Sequence, residues 1–162
     1  MIDLLLKLVS NLSFGYLAQP QIRVFYKPGA SGSGEAPGNP PGIECEWKGQ
    51  LVFENLTDIV AINLKIEARP ESFNAPIPQG SIKPYETIEV KTVIRKSFQR
   101  EIVVACHDRF VELLPDEMKH LQLLISYQNI KGKYFYTLYR KTPTGENCSW
   151  HFKCPKLICS GL

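Results

Sequence analysis

The chain has 162 residues, enough for one domain of common size that can bury a sizeable core without metal or disulfides as obligatory staples. Its composition, 44% hydrophobic and 22% charged, is that of an ordinary globular protein. A net charge of +3, with the charged residues scattered, supplies no long basic tract for nucleic acid or a membrane surface.

Residues 3–14 read as an amphipathic helix capped by Asp3. Asp3, Lys7, Ser10 and Asn11 share one side. Leu5, Leu8, Val9 and Leu12 share the other, with Leu4 and Leu6 widening the apolar arc. Gly15 and Pro20 end the segment. It does not read as an export signal: Asp3 precedes the apolar run, Lys7 interrupts it, and no small-residue cleavage site follows. It is also too short and too polar to span a bilayer. A cytoplasmic protein with reduced thiols is the expectation, and the sequons at Asn11, Asn55 and Asn147 then carry no structural meaning. An exposed arc of this size needs cover. The sandwich itself, another protein, a second copy or a membrane surface would supply it, so Leu5, Leu8, Val9 and Leu12 are candidate partner-binding residues.

Residues 1–20 are therefore set apart from a single domain over 21–162. Gln21–Lys27 alternates and reads as a strand. Pro28–Gly42 is dominated by Gly, Pro and Ser with Glu35 as its only charge, and reads as a loop. From Ile43 the period is two: Ile43, Cys45, Trp47, Leu51 and Phe53 share a parity, against Glu44, Glu46 and Lys48. Glu54–Asp58 is a turn. Val60, Ile62, Leu64, Ile66 and Ala68 make the next stripe. A turn at Lys83–Glu86 leads into a strand carrying Ile88, Val90, Thr92 and Ile94. Short strands follow at 100–106 and 109–114, and Pro115 suits the first position of one helical turn. The clearest hairpin is 120–141. Leu121, Leu123, Ile125 and Tyr127 point inward, Gly132 lies in the turn, and Phe135 and Tyr139 face away from Tyr134, Tyr136 and Leu138. A last strand is expected in NCSWHFKC, 147–154.

Eight or nine short strands with regularly spaced turns predict an all-β sandwich. Over Ile43 to Arg140 the chain resembles an immunoglobulin-like or fibronectin-III-like β-sandwich. GQLVFENLTDIVAINLKIEA is a strand–turn–strand, and SIKPYETIEVKTVI is the proline-turn-then-strand step such domains use. The antibody Tyr-x-Cys pattern is absent, since Gln128 and Asn129 follow Tyr127, so the resemblance does not carry that disulfide. The fold hosts many functions and implies none.

Chemistry-bearing residues are few. Cys148, His151, Cys154 and Cys159 have the types to complete a tetrahedral zinc shell, though not at a common finger spacing. In a strand, Cys148 and Cys154 instead accompany Trp150 and Phe152 on one face, as core residues do, and this packing reading is preferred to zinc or a disulfide. Cys45 is expected on a core face too. Cys106, His107 and Asp108 are adjacent, which is the wrong geometry for a catalytic relay. Lys131, Lys133, Tyr134, Tyr136, Arg140 and Lys141 interleave cations with aromatics, as in surfaces that bind single-stranded nucleic acid, but aromatics are also favoured in hairpins for pairing alone. The sequence thus points to a non-enzymatic interaction module, an accessory subunit of a larger assembly. No cofactor and no small-molecule substrate are expected. The alternatives are a nucleic-acid-binding module using the 131–141 hairpin and a zinc-stabilised domain.

Overall fold

The computed structural model describes residues 19–36, 42–71, 73, 78, 80–99, 115 and 119–157. The expected helix at 3–14, with Leu5, Leu8, Val9 and Leu12, lies outside the described residues. So do the strands expected at 100–106 and 109–114, the Cys106–Asp108 triplet and Cys159.

The described part is all-β, with eight strands in two antiparallel sheets. β1 (Ile22–Ala36), β2 (Gly42–Asn55) and β5 (Thr87–Phe98) form the first, in the order β1-β2-β5. β3 (Ala61–Arg69), β4 (Gly80–Ile82), β6 (Gln122–Gln128), β7 (Tyr134–Thr142) and β8 (Gly145–His151) form the second, in the order β4-β3-β6-β7-β8. The chain crosses between sheets after β2, after β4 and after β5, while β6, β7 and β8 run as a meander. The expected turn before β6 survives as one closure, the Lys119 amide donating to the Pro115 carbonyl at 3.1 Å.

The sequence periodicity explains the core. Val24 of β1, Leu51 and Phe53 of β2 and Val90 of β5 meet Leu123, Ile125, Tyr127, Phe135 and Tyr139 of β6 and β7 in one buried cluster. The inward Leu121–Tyr127 stripe is as expected, with all four members almost wholly buried. One stripe is displaced. Ala61, not Ile62, is buried at the start of β3, because the register with β4 and β6 shifts there and Asn63 takes a left-handed φ of 55°. Asparagine tolerates that conformation better than most residues. From Leu64 the expected parity returns.

The Gly/Pro/Ser stretch departs most from expectation. It is not a loop through Pro28–Gly42. β1 continues to Ala36 and pairs with β2 down to Gly42, after an irregularity between Pro28 and Ser31. A ladder uses backbone N–H and C=O groups and asks nothing of the side chains. Here β2 supplies the apolar pattern for both. Cys45 and Trp47 are buried against Ile43, Ile94 and Phe98, and the Trp47 and Phe98 rings meet edge to face at 6.2 Å. Ser31 and Ser33 stand beside Trp47 and Cys45 in the register.

Tyr26 links this smaller cluster to the main one, packing against both. Its ring lies across Gly49: a Cβ there would sit 1.9 Å from the Tyr26 hydroxyl oxygen. An absent side chain on the centre strand thus makes room for an aromatic from its neighbour.

β1 is an edge strand, and side chains of the other sheet close its free side. The Ile22 carbonyl accepts from the Thr137 hydroxyl at 3.0 Å and the Trp150 indole N–H at 3.0 Å. The Val24 amide donates to Cys148 Sγ at 3.5 Å and the Tyr26 amide to Glu146 at 3.0 Å. The Tyr127 hydroxyl donates to the Pro20 carbonyl at 2.9 Å and lies 3.2 Å from the Thr137 hydroxyl.

Two predictions follow from this closure. Thr137→Val keeps the shape but removes one of the donors to the Ile22 carbonyl, which keeps the Trp150 indole and the Cys148 thiol, and should cost about 0.5–1.5 kcal/mol in urea denaturation. An unchanged midpoint would show that the hydroxyl is dispensable. Burial pushes the Tyr127 phenol up from 10.0 to about 12, the Thr137 contact opposing this in part. A phenol whose pKa is raised by folding contributes stability that is complete below about pH 10 and lost as the pH climbs to about 12. The loss should reach roughly 3 kcal/mol. Denaturation across that range should show the decline, and Tyr127→Phe should make it shallower without abolishing it, because burial also pushes up the Tyr139 phenol and the Cys45 and Cys148 thiols.

Candidate functional site: one pole of the sandwich

The strand directions bring several turns to one end. β1 starts there, β2 ends there, and β5 starts there, since Ile22 pairs with Asn55 and Glu54 with Thr87. In the second sheet β3 starts, β6 ends, β7 starts and β8 ends at the same pole, by the pairs Ile62–Gln128, Gln128–Tyr134 and Tyr136–His151. The contacts of Ile22 with Thr137 and Trp150 align the two sheets.

Two buried asparagines hold these turns in shape. Asn55 is 2% exposed. Its side-chain amide donates to the carbonyls of Ile59 at 2.7 Å, Lys83 at 3.1 Å and Ile82 at 3.3 Å. Its side-chain oxygen accepts from the Thr57 amide at 3.1 Å and the Thr57 hydroxyl at 2.8 Å. One residue thereby ties the β2–β3 connection to the β4–β5 turn, and the Tyr85 amide of that turn donates to the Thr57 carbonyl at 3.3 Å to the same effect. Asn129 does the same within the β6–β7 turn, accepting from the Lys131 and Lys133 amides at 3.0 and 3.1 Å. Gly132 supplies the positive φ of 76° that the turn needs.

The turns present apolar side chains to water. Seven large hydrophobic residues are exposed among the described residues, and six are at this pole: Leu56, Tyr85, Ile130, Tyr134, Trp150 and Phe152. The seventh, Val93, is on β5. Tyr85 is 71% exposed and Ile130 72%, both at turn tips. Lysines stand between them. Lys83, Lys131, Lys133 and Lys153 are all exposed, against the carboxylates of Asp58 and Glu86 in the β2–β3 and β4–β5 turns. The Glu86 carboxylate is held at 2.6 Å by the Lys83 amide. Lys133 Nζ lies 5.7 Å from the centre of the Phe152 ring and 5.5 Å from that of Phe135, so cation and apolar surface are one unit here.

The residues named from sequence are placed differently from one another. Among the hairpin set, Tyr134, Tyr136 and Arg140 share the outer face of β7, while Lys133 and Lys141 take the other parity. Lys131 is in the turn. Lys141 pairs with Glu146 at 3.3 Å and lies over the Tyr26 ring at 4.9 Å, serving the β1 seal. The six do not make one surface. Of the thiol-rich stretch, Cys148 packs half-buried against the core and donates to the Ile22 carbonyl at 3.8 Å. His151 is on the opposite face of β8, its Nε2 2.9 Å from the Ser149 hydroxyl. Strand alternation therefore separates those two proposed ligands. Among the described residues no three His, Cys, Asp or Glu side chains gather as a metal site. Cys154 corrects an expectation: it is exposed, not on a core face, because β8 ends at His151 and alternation no longer applies. Trp150 and Phe152, expected inside, are 38% and 41% exposed. Cys45 is buried as expected, and Cys45, Cys148 and Cys154 are free thiols.

Sequence reasoning missed the pole as a unit, although Asn-containing turns with apolar neighbours were visible at Asn55–Leu56 and Asn129–Ile130. No family model, no curated protein and no solved structure matches the chain. Among the described residues no helix is long and apolar enough to cross a membrane.

Thiol reactivity should follow this placement. Burial pushes the thiols of Cys45 and Cys148 up, which keeps them protonated and slow toward alkylation. In native protein Cys154 should label first, Cys148 slowly, and Cys45 only on unfolding, as read by mass spectrometry. Equal rates at Cys45 and Cys154 would contradict the buried cluster around Trp47.

Proposed function

We propose that this chain is a non-enzymatic interaction module on an immunoglobulin-like or fibronectin-III-like sandwich frame, acting as an accessory subunit of a larger assembly. The frame reading is supported by a three-stranded sheet facing a larger one, with consecutive strands crossing between them. The functional reading is carried by one observation: six of the seven exposed large hydrophobic residues share one pole. Exposed apolar side chains scattered singly need no explanation, but their collection on one end does. The turns that carry them are braced by buried polar hydrogen bonds, so the side chains are displayed in fixed positions and little ordering entropy remains to be lost on contact. Rigid scaffolds commonly present binding residues in this way.

The test is sedimentation of a detergent-free homogenate of the native cell, following the full-length chain. Wild type should travel with material much larger than 18.4 kDa. Tyr85→Ser combined with Ile130→Ser should release it to the size of the free chain, while Val93→Ser should not. Both positions are exposed, so the melting temperature should hold. A pole variant that still co-sediments like wild type would sink the assignment of the pole as the contact surface.

A further inference from the structure

We infer that the occupant of this pole is the surface of an anionic lipid bilayer. This rests on the reading above that the pole is the contact surface, and adds what it contacts. The apolar side chains do not form one groove. Leu56, Tyr85, the Ile130–Tyr134 turn and the Trp150–Phe152 end of β8 are separate projections from separate turns. Lysines are interleaved with them: Lys83 two residues from Tyr85, Lys131 and Lys133 around Ile130 and Tyr134, Lys153 after Phe152.

The cores of protein–protein interfaces are depleted of charge, and lysine is depleted from such interfaces in general. The pole, with lysines interleaved among its apolar tips, does not have the composition of such an interface core. A bilayer interface suits it, because the headgroup layer is fluid and admits separate insertions at several points. Tyrosine and tryptophan are favoured at that depth, with the ring in the apolar boundary and the hydroxyl or N–H toward water. Lysine stems lie along apolar surface while the ammonium reaches back to the phosphates. Lys133 already has this posture, lying over the Phe152 ring. The charge balance of the pole, Lys83, Lys131, Lys133 and Lys153 against Asp58 and Glu86, with Arg23 and Glu54 paired to each other, matches an anionic leaflet. The braced turns keep the apolar tips out of the core, so binding requires no unfolding of the sandwich.

The geometry orients the domain with its strands roughly along the membrane normal. β1 and β8 would point their pole ends at the lipid, and the Gly/Ser-rich half of β1 would be at the far end.

Vesicle co-sedimentation of the full chain tests the proposal, with phosphatidylcholine vesicles prepared with and without phosphatidylserine. Binding should require phosphatidylserine. It should fall at least tenfold when the Debye length is shortened from about 10 Å to about 3 Å by raising salt from about 0.1 M to about 1 M. Lys131→Glu with Lys133→Glu should lower binding on the order of tenfold or more. Tyr85→Ser with Ile130→Ser should do so by about tenfold or more through lost apolar insertion. Val93→Ser should bind as wild type. Absence of vesicle binding, binding indifferent to phosphatidylserine and salt, or binding retained by both pole variants would each overturn the proposal. If vesicles are not bound while homogenate sedimentation still depends on Tyr85 and Ile130, the lipid assignment is overturned and the occupant is a protein, with the pole reading intact.

Discussion

The Ile22 carbonyl and the two amides that follow it on the same edge of β1 set the terms for this sandwich. A strand at the side of a three-stranded sheet has one row of backbone groups with no ladder partner. Left open, such a row is a template for pairing with another chain. Here the row is turned toward the second sheet and closed by side chains from β7 and β8: a hydroxyl, an indole N–H, a thiol and a carboxylate. None is a backbone group, so the two sheets remain distinct layers and do not merge into a barrel. Yet the seal is polar, buried at Thr137 and part-buried at Cys148 and Trp150, so it limits how far β8 can slide along β1. The placement of the turns at the pole follows from that alignment.

The seal also explains the side chains at the end of β8. Trp150 spends its one polar atom on the Ile22 carbonyl, which holds the indole at the border between core and water. Cys148 both accepts from and donates to β1, a combination that only the protonated thiol can supply. Its raised pKa has the same origin as its structural use, since burial disfavours the thiolate. What looked in the sequence like a cluster of metal ligands is, at this cysteine, an element of strand closure.

How much of this was legible beforehand differs from element to element. The stripe Ile88–Ile94 was readable because one face of β5 is buried and side-chain direction alternates; at Leu51–Phe53 and Leu121–Tyr127 the inward parity was also right, although Val52 and Leu124 on the other face are buried too. The stripe opening β3 misled by one position, since a left-handed residue such as Asn63 shifts parity without changing composition. The Gly/Ser half of β1 was illegible for a deeper reason: its own side chains contribute little, and its conformation is imposed by Ile43, Cys45 and Trp47 on the neighbouring strand. Cys154 failed because alternation was extended past a strand end that no residue announces. The pole could not be read at all from periodicity. Leu56, Tyr85, Ile130 and Phe152 are far apart in the chain, and only the register of the antiparallel ladders assembles them.

The contrast within β1 also bears on how such a chain can vary. Between Ile22 and Tyr26 every second side chain is committed to the core, and the edge amides are committed to named partners. An inserted or deleted residue there would reverse the faces and strand the seal. Beyond the irregularity at Pro28, serine and glycine alternate with little to distinguish one register from the next. Lengthening or shortening the hairpin by a pair of residues would preserve its ladder at small cost. Homologous chains should accordingly diverge in length at the far tip and hold constant spacing from Gln21 to Lys27, so that a reach of variable extent projects from a frame of fixed dimensions.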